Sequence, residues 1–154
     1  MKISLFKNAK ITTPEAVMTI DEFCNGIIHG KWEYYVRKIR EADTKDEVKA
    51  LKEQLPAVTI SGTFSQRNQR NIIAHSGFIC IDIDNFNGNV MELKNDQFTY
   101  FLFKSASGKG IAIIVKVNKD KHQESFQFLR KYYIENYNVH IDPAPQNIAS
   151  LRFV

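Results

Sequence analysis

The stretch Phe78-Ile79-Cys80-Ile81-Asp82-Ile83-Asp84 constrains the fold of this chain more than any other. It opens as an unbroken apolar run, which reads as a β-strand buried on both faces and demands a layer of structure on each side. It closes on two carboxylates, Asp82 and Asp84. Residues two apart on a strand share a face, so both acids project from one surface. Like charges held together raise each other's pKa, and a divalent cation removes that cost. Oxygen-only ligands favour a hard ion, Mg2+ or Mn2+. The alternative is that the strand has already ended and the acids open a solvated turn, DNFNGN; the local sequence leaves both open. A helix-loop-helix calcium site fits poorly, because Phe86, Asn87 and Leu93 stand where an acid or amide, a glycine and a bidentate acid are needed.

The remaining elements follow from periodicity and capping. Lys2–Phe6 reads as a short strand. Thr19 with Glu22 and Thr44 with Glu47 form capping boxes, opening helices over IDEFCNGII and DEVKALKEQL. Between them, residues 31–41 place Trp32, Tyr35, Val36 and Ile39 at helical spacing, and Pro56 ends the third helix. Ala57–Ile60 reads as a strand, and the polar stretch SGTFSQRNQRN after it as a loop. NGNVMELK suggests a short helix. FTYFLFK (98–104) and IAIIVKV (111–117) flank a glycine turn as a hairpin. Residues 121–137 give the clearest helix, with Phe126, Leu129, Tyr133 and Tyr137 along one side, and VHID and ASLRFV close the chain as extended segments. Helices first, then strands interleaved with helices, imply an α+β fold with a mixed or antiparallel sheet.

At 154 residues this is one domain, with a helical part over residues 1–55 and a sheet-containing core over 56–154. The chain ends on the strand-like SLRFV, which suggests a fragment of a longer polypeptide. A net charge of +4 permits an anionic partner such as nucleic acid without demanding one. No apolar run is long enough for a membrane span and no signal peptide is evident, so a cytoplasmic protein is expected. Cys24 and Cys80 lack metal-site spacing, and Cys80, inside the apolar run, reads as a reduced, buried thiol.

A second chemical feature is Lys104-Ser105-Ala106-Ser107-Gly108-Lys109-Gly110. Small residues let backbone N–H groups approach phosphate oxygens, and the lysines and hydroxyls add donors. It is not a Walker loop, since Phe103 takes the first glycine position and Gly110 follows Lys109. An ordinary hairpin turn explains it equally well. A third is His140-Ile141-Asp142 with Arg152 ten residues beyond. Other residues read blandly: His29 and His122 as surface histidines, Arg67, Asn68, Arg70, Asn71 and His75 as a solvated loop, and Tyr132, Tyr133 and Tyr137 as helix packing. Lys31, Trp32, Arg37, Lys38 and Arg40 fit either a template groove or a solvated amphipathic helix. No zinc spacing appears and no serine has an evident His/Asp partner.

Taken in order, FICIDID, KSASGKGIAIIV, HID and SLRFV resemble the arrangement of archaeo-eukaryotic-type primases and primase-polymerases. More closely, residues 50–154 look like the VirE amino-terminal domain family, found ahead of helicase-type ATPases in mobile-element proteins. The resemblance implies an RRM-like catalytic core and metal-dependent nucleotidyl transfer on a DNA template and primer. It implies Asp82, Asp84 and Asp142 as ligands for Mg2+ or Mn2+, activating a primer 3′-hydroxyl and stabilising the leaving pyrophosphate. Lys104, Ser105, Ser107, Gly108, Lys109, Gly110 and Arg152 would hold the nucleoside triphosphate. One position departs from the family pattern: Ala112 stands where a phosphate-contacting histidine is usual. A domain that binds nucleotide or nucleic acid without extending it is the alternative.

Overall fold

The computed structural model describes all 154 residues. Strands β1 (Lys2–Phe6) and β2 (Ala16–Thr19) precede helices α1 (Ile20–Ile28), α2 (Glu33–Glu41) and α3 (Lys45–Gln54). Then come β3 (Ala57–Thr59), β4 (Gly62–Phe64), β5 (Ile72–His75) and β6 (Phe78–Ile83). Helix α4 (Val90–Lys94), the hairpin β7 (Thr99–Lys104) and β8 (Ile111–Lys116), helix α5 (His122–Tyr137) and β9 (Arg152–Phe153) complete the chain. The fold is α+β, and every strand pair is antiparallel.

Both capping boxes form as the sequence predicts. The Thr19 hydroxyl accepts from the Glu22 amide at 3.1 Å while the Glu22 carboxylate takes the Thr19 N–H at 2.6 Å, and Thr44 and Glu47 repeat the exchange. The stretch read as one polar loop instead contains β4, and β5 follows it as its hairpin partner. Phe64 donates its N–H to the buried Ser4 hydroxyl at 3.0 Å, tying that hairpin to β1. Three-residue strands carry too little alternation to show a period, and their pairing is non-local.

The sheets run in the orders β2-β1-β3-β9, β4-β5 and β6-β8-β7. The third answers the demand of its apolar strand for cover on both sides. Ile79, Ile81 and Ile83 of β6 join Ile111, Ile113 and Val115 of β8 against Phe126, Leu129 and Tyr133 of α5 and Leu93 of α4. Phe78 and Cys80 face the other way, into a core with Ala112, Ile114 and Phe103. That core also holds Ile3, Val58, Phe23, Trp32 and Ile39 from the N-terminal sheet and helices. Each fully buried Ile here contributes about 2 kcal/mol by removal from water. Helix α5 is anchored at a single carboxylate: the Tyr132 and Tyr137 hydroxyls donate to Asp96 at 2.7 and 2.6 Å. Those tyrosines therefore belong to packing, as expected. No helix is long and apolar enough to cross a membrane.

Candidate functional site

The acid pair sits where the first core ends. Asp82 continues the face of Phe78 and Cys80, one step beyond the buried stretch and near the surface. Strand β6 ends at Ile83, so Asp84 is already in the turn that Asn85 opens with a left-handed backbone (φ 49°). The two readings of the sequence thus each describe one residue: Asp82 is a strand residue and Asp84 a turn residue. The third acid arrives from the segment after α5. Ile83 bridges Ile141 antiparallel, and the Asp142 N–H donates to the Asp82 carbonyl at 2.9 Å. Register then sets Asp82 and Asp142 directly opposite one another, where side chains share a face with Cβ atoms about 5 Å apart.

The glycine turn closes the same corner. The Gly110 amide donates to the Ser105 hydroxyl at 3.0 Å, and the Ser105 amide to the Gly110 carbonyl at 2.8 Å. A Cβ on Gly110 would lie 2.7 Å from the Ile83 carbonyl oxygen, so only glycine lets the hairpin approach the acid-bearing strand. Gly108 holds φ 75°, which a side chain would strain. The amides of Ala106, Ser107 and Lys109 donate to no protein acceptor, leaving three free N–H groups in the turn.

One cavity of about 380 Å³ gathers these pieces, lined by Asp82, Asp84, Asp142, Ser105, Ser107, Lys109, Gly110 and Arg152 among others. Lys104 and Gly108 are absent from it: Lys104 lines a separate groove beside Trp32 and Gly26, and Gly108 packs on Arg40. Lys52 and Asn85 line it without having been singled out in the sequence. Lys52 lies in α3 beside Val48 and Leu51, where an amphipathic period marks it only as an edge position. Burial, with Arg152 and Lys109 nearby, holds the Lys52 ammonium below its ordinary pKa.

Arg152 lines the same cavity, and its partner there is a carboxylate. Its strand pairs Val58 with Arg152, so the side chain crosses the core from the four-stranded sheet to β6. There it forms an ion pair with Asp82 and lies over the Phe103 ring, 5.4 Å from the centroid. Asp82, Ala112 and Phe103 form one row across β6, β8 and β7, so the guanidinium spans above Ala112. A small residue at position 112 is what makes that room. The Arg152 Nε is buried without a partner, and burial lowers its pKa.

Oxygen donors of this kind suit Mg2+ or Mn2+. Asp84 makes no hydrogen bond or ion pair, Asp142 accepts only from the Ala144 amide at 2.9 Å, and Asp82 is held by Arg152. No group of three His, Cys, Asp or Glu side chains lies close enough to hold an ion unaided. Magnesium sites commonly use one or two carboxylates and complete the shell with water and substrate phosphates, so the residues fit such a site.

His122 corrects the surface assignment made for it. It is buried, its Nε2 donates to the Pro145 carbonyl at 3.2 Å, and its Nδ1 lies 3.1 Å from Nε2 of His75. The Gly77 amide donates to His75 Nδ1 at 2.9 Å, so His75 carries its proton on Nε2 and donates to His122. Both rings are therefore neutral. Desolvation and the facing His122 ring pull the His75 pKa down to about 4, and desolvation lowers His122 too.

The fold and this corner define an α+β domain with a charged cavity, carboxylates facing lysines and an arginine, built on an antiparallel sheet. Residues 50–153 match the BT4734-like, N-terminal domain family, and the chain belongs to it. No curated protein and no solved structure matches the chain. The match corrects the resemblance drawn from the sequence: the family is not the VirE amino-terminal domain family or a primase family. Paired strand carboxylates, a glycine turn and a terminal arginine are each short, and their order alone does not separate one family from another. The mobile-element setting and the helicase-type ATPase neighbour rested on that resemblance alone.

Proposed function

We propose that the cavity binds a nucleoside triphosphate together with a divalent cation and serves nucleotidyl transfer onto a nucleic-acid chain. The observation that carries this is convergence. Carboxylates from β6, from the turn after it and from the segment after α5 line one cavity with the glycine turn and Lys52 and Lys109. Asp82, Asp84 and Asp142 are the residues that would hold Mg2+ or Mn2+, which supplies a lowered pKa at an attacking hydroxyl and offsets charge on leaving pyrophosphate. The free amides of Ala106, Ser107 and Lys109 offer donors to phosphate oxygens, and the Lys109 ammonium offsets their charge. Ser105 builds the turn by accepting from the Gly110 amide, and its hydroxyl proton stays available to a phosphate oxygen. Arg152 gives up Asp82 when the site fills and takes a phosphate oxygen in exchange.

The ion pair between Arg152 and Asp82 favours a second reading, a module that holds nucleotide or nucleic acid without extending it. Primer extension with Mg2+ and with Mn2+ separates the two. For a transferase, wild type extends a primer, and Asp82→Asn abolishes extension while DNA binding survives. Triphosphate binding without extension by wild type assigns the binding module, and absence of both contradicts either reading.

A further inference from the structure

A second cavity adjoins the first, and its lining is unbalanced in charge. It has a volume of about 280 Å³ and shares Lys52, Ser107 and Lys109 with the carboxylate cavity. Arg40 from the end of α2 and Lys45 from the start of α3 complete its cations. Asp43 is the one carboxylate that lines it against those four positive side chains. None of the four is in an ion pair anywhere in the molecule, although the chain forms such pairs at other sites. Holding unpaired cations around one hollow costs Coulomb energy, which an anion repays. The carboxylate cavity, by contrast, sets Lys52, Lys109 and Arg152 against its three aspartates.

The two cavities meet at the glycine turn. Arg40 donates from Nε to the Ala106 carbonyl at 3.3 Å and packs on Gly108, so α2 braces the backbone that separates them. The free amides of Ser107 and Lys109 lie in that shared wall. This arrangement ties the helices before residue 50, which the family match leaves uncovered, to the chemistry of the sheet.

We propose that the cavity between the α2–α3 junction and the glycine turn is a phosphate subsite. It takes the terminal phosphates of a nucleotide whose nearer part occupies the carboxylate cavity. This rests on the function proposed above and adds where the phosphate chain runs. The subsite makes affinity depend on the number of phosphates, through Arg40, Lys45, Lys52 and Lys109.

Calorimetric titration of the whole chain with dATP, dAMP and oligo(dT), each with Mn2+, tests it. The variants are Lys45→Gln, at an exposed position with no packing role, and Asp82→Asn/Asp84→Asn. The expected result is about a tenfold loss of dATP affinity in Lys45→Gln with dAMP unchanged, the effect of one lost charge-assisted contact. The double aspartate variant loses dATP and dAMP alike. Unchanged dATP affinity in Lys45→Gln, beside loss in the aspartate variant, overturns the subsite and leaves the function standing. A loss confined to oligo(dT) also overturns it, assigning the cations to a nucleic-acid backbone. Failure of wild type to bind dATP removes both.

Discussion

The Arg152 guanidinium is buried over Phe103 with its Nε unpartnered, so it depends on Asp82 to compensate its charge. Removing one member of such a pair leaves the other buried and uncompensated. Arg152→Ala is expected to destabilise the fold by about 3 kcal/mol in urea unfolding, and Arg152→Ala/Asp82→Ala by clearly less than the sum of the single changes. Strict additivity would mean that solvent screens the pair. The histidine pair gives a pH prediction of definite sign. The folded His75 has a pKa of about 4 against an ordinary 6.5, so the unfolded chain takes up protons first as pH falls. The stability it contributes is complete above pH 6.5 and is lost as pH falls from 6.5 toward 4. His75→Gln/His122→Gln should flatten that slope. At this scale the sequence showed which residues were chemically able, the acids and the arginine, but not their partners. Nothing near Arg152 in the chain announces that its counter-ion is Asp82, and His122 looked exposed because its partner lies in β5, a strand the pattern did not reveal.

Among the elements, the hairpin between β7 and β8 carries the site, and Gly110 is its critical position. Gly110→Ala would set a methyl group 2.7 Å from the Ile83 carbonyl and push the turn away from Asp84. A loss of about 2 kcal/mol and weaker triphosphate binding are expected, read by thermal unfolding and calorimetry. Gly108→Ala, strained at φ 75° but facing the flexible Arg40 side chain, should cost about 1 kcal/mol. The elements most legible in the sequence were those fixed by local chemistry. Both capping boxes, the long α5 and the β7–β8 hairpin stood where periodicity and turn residues put them. Strands β2, β4 and β5 were not legible, because they have three or four residues each and take their identity from pairing with distant chain.

At the level of the molecule, one strand organises the architecture. FICIDI is apolar on both faces because α4 and α5 cover one and the N-terminal sheet and helices cover the other. Its polar end emerges where these layers part, which is why acids, glycine turn and lysines from separate segments meet there. The sequence offered the acids, the turn and Arg152 as separate candidates, and only the family resemblance implied that they would share one site. The contribution of Lys52 was not legible, since α3 showed only its cap and apolar positions, and Arg40 was legible only as part of a template groove or a solvated helix face. The central claim is that this corner binds a triphosphate with a metal. Its most direct test is calorimetry of dATP with Mn2+ on wild type beside Asp82→Ala/Asp84→Ala, with circular dichroism to confirm that both are folded. Metal-dependent dATP binding in wild type and its loss in the folded double variant is the predicted result; equal binding by both proteins, or none by wild type, would contradict it.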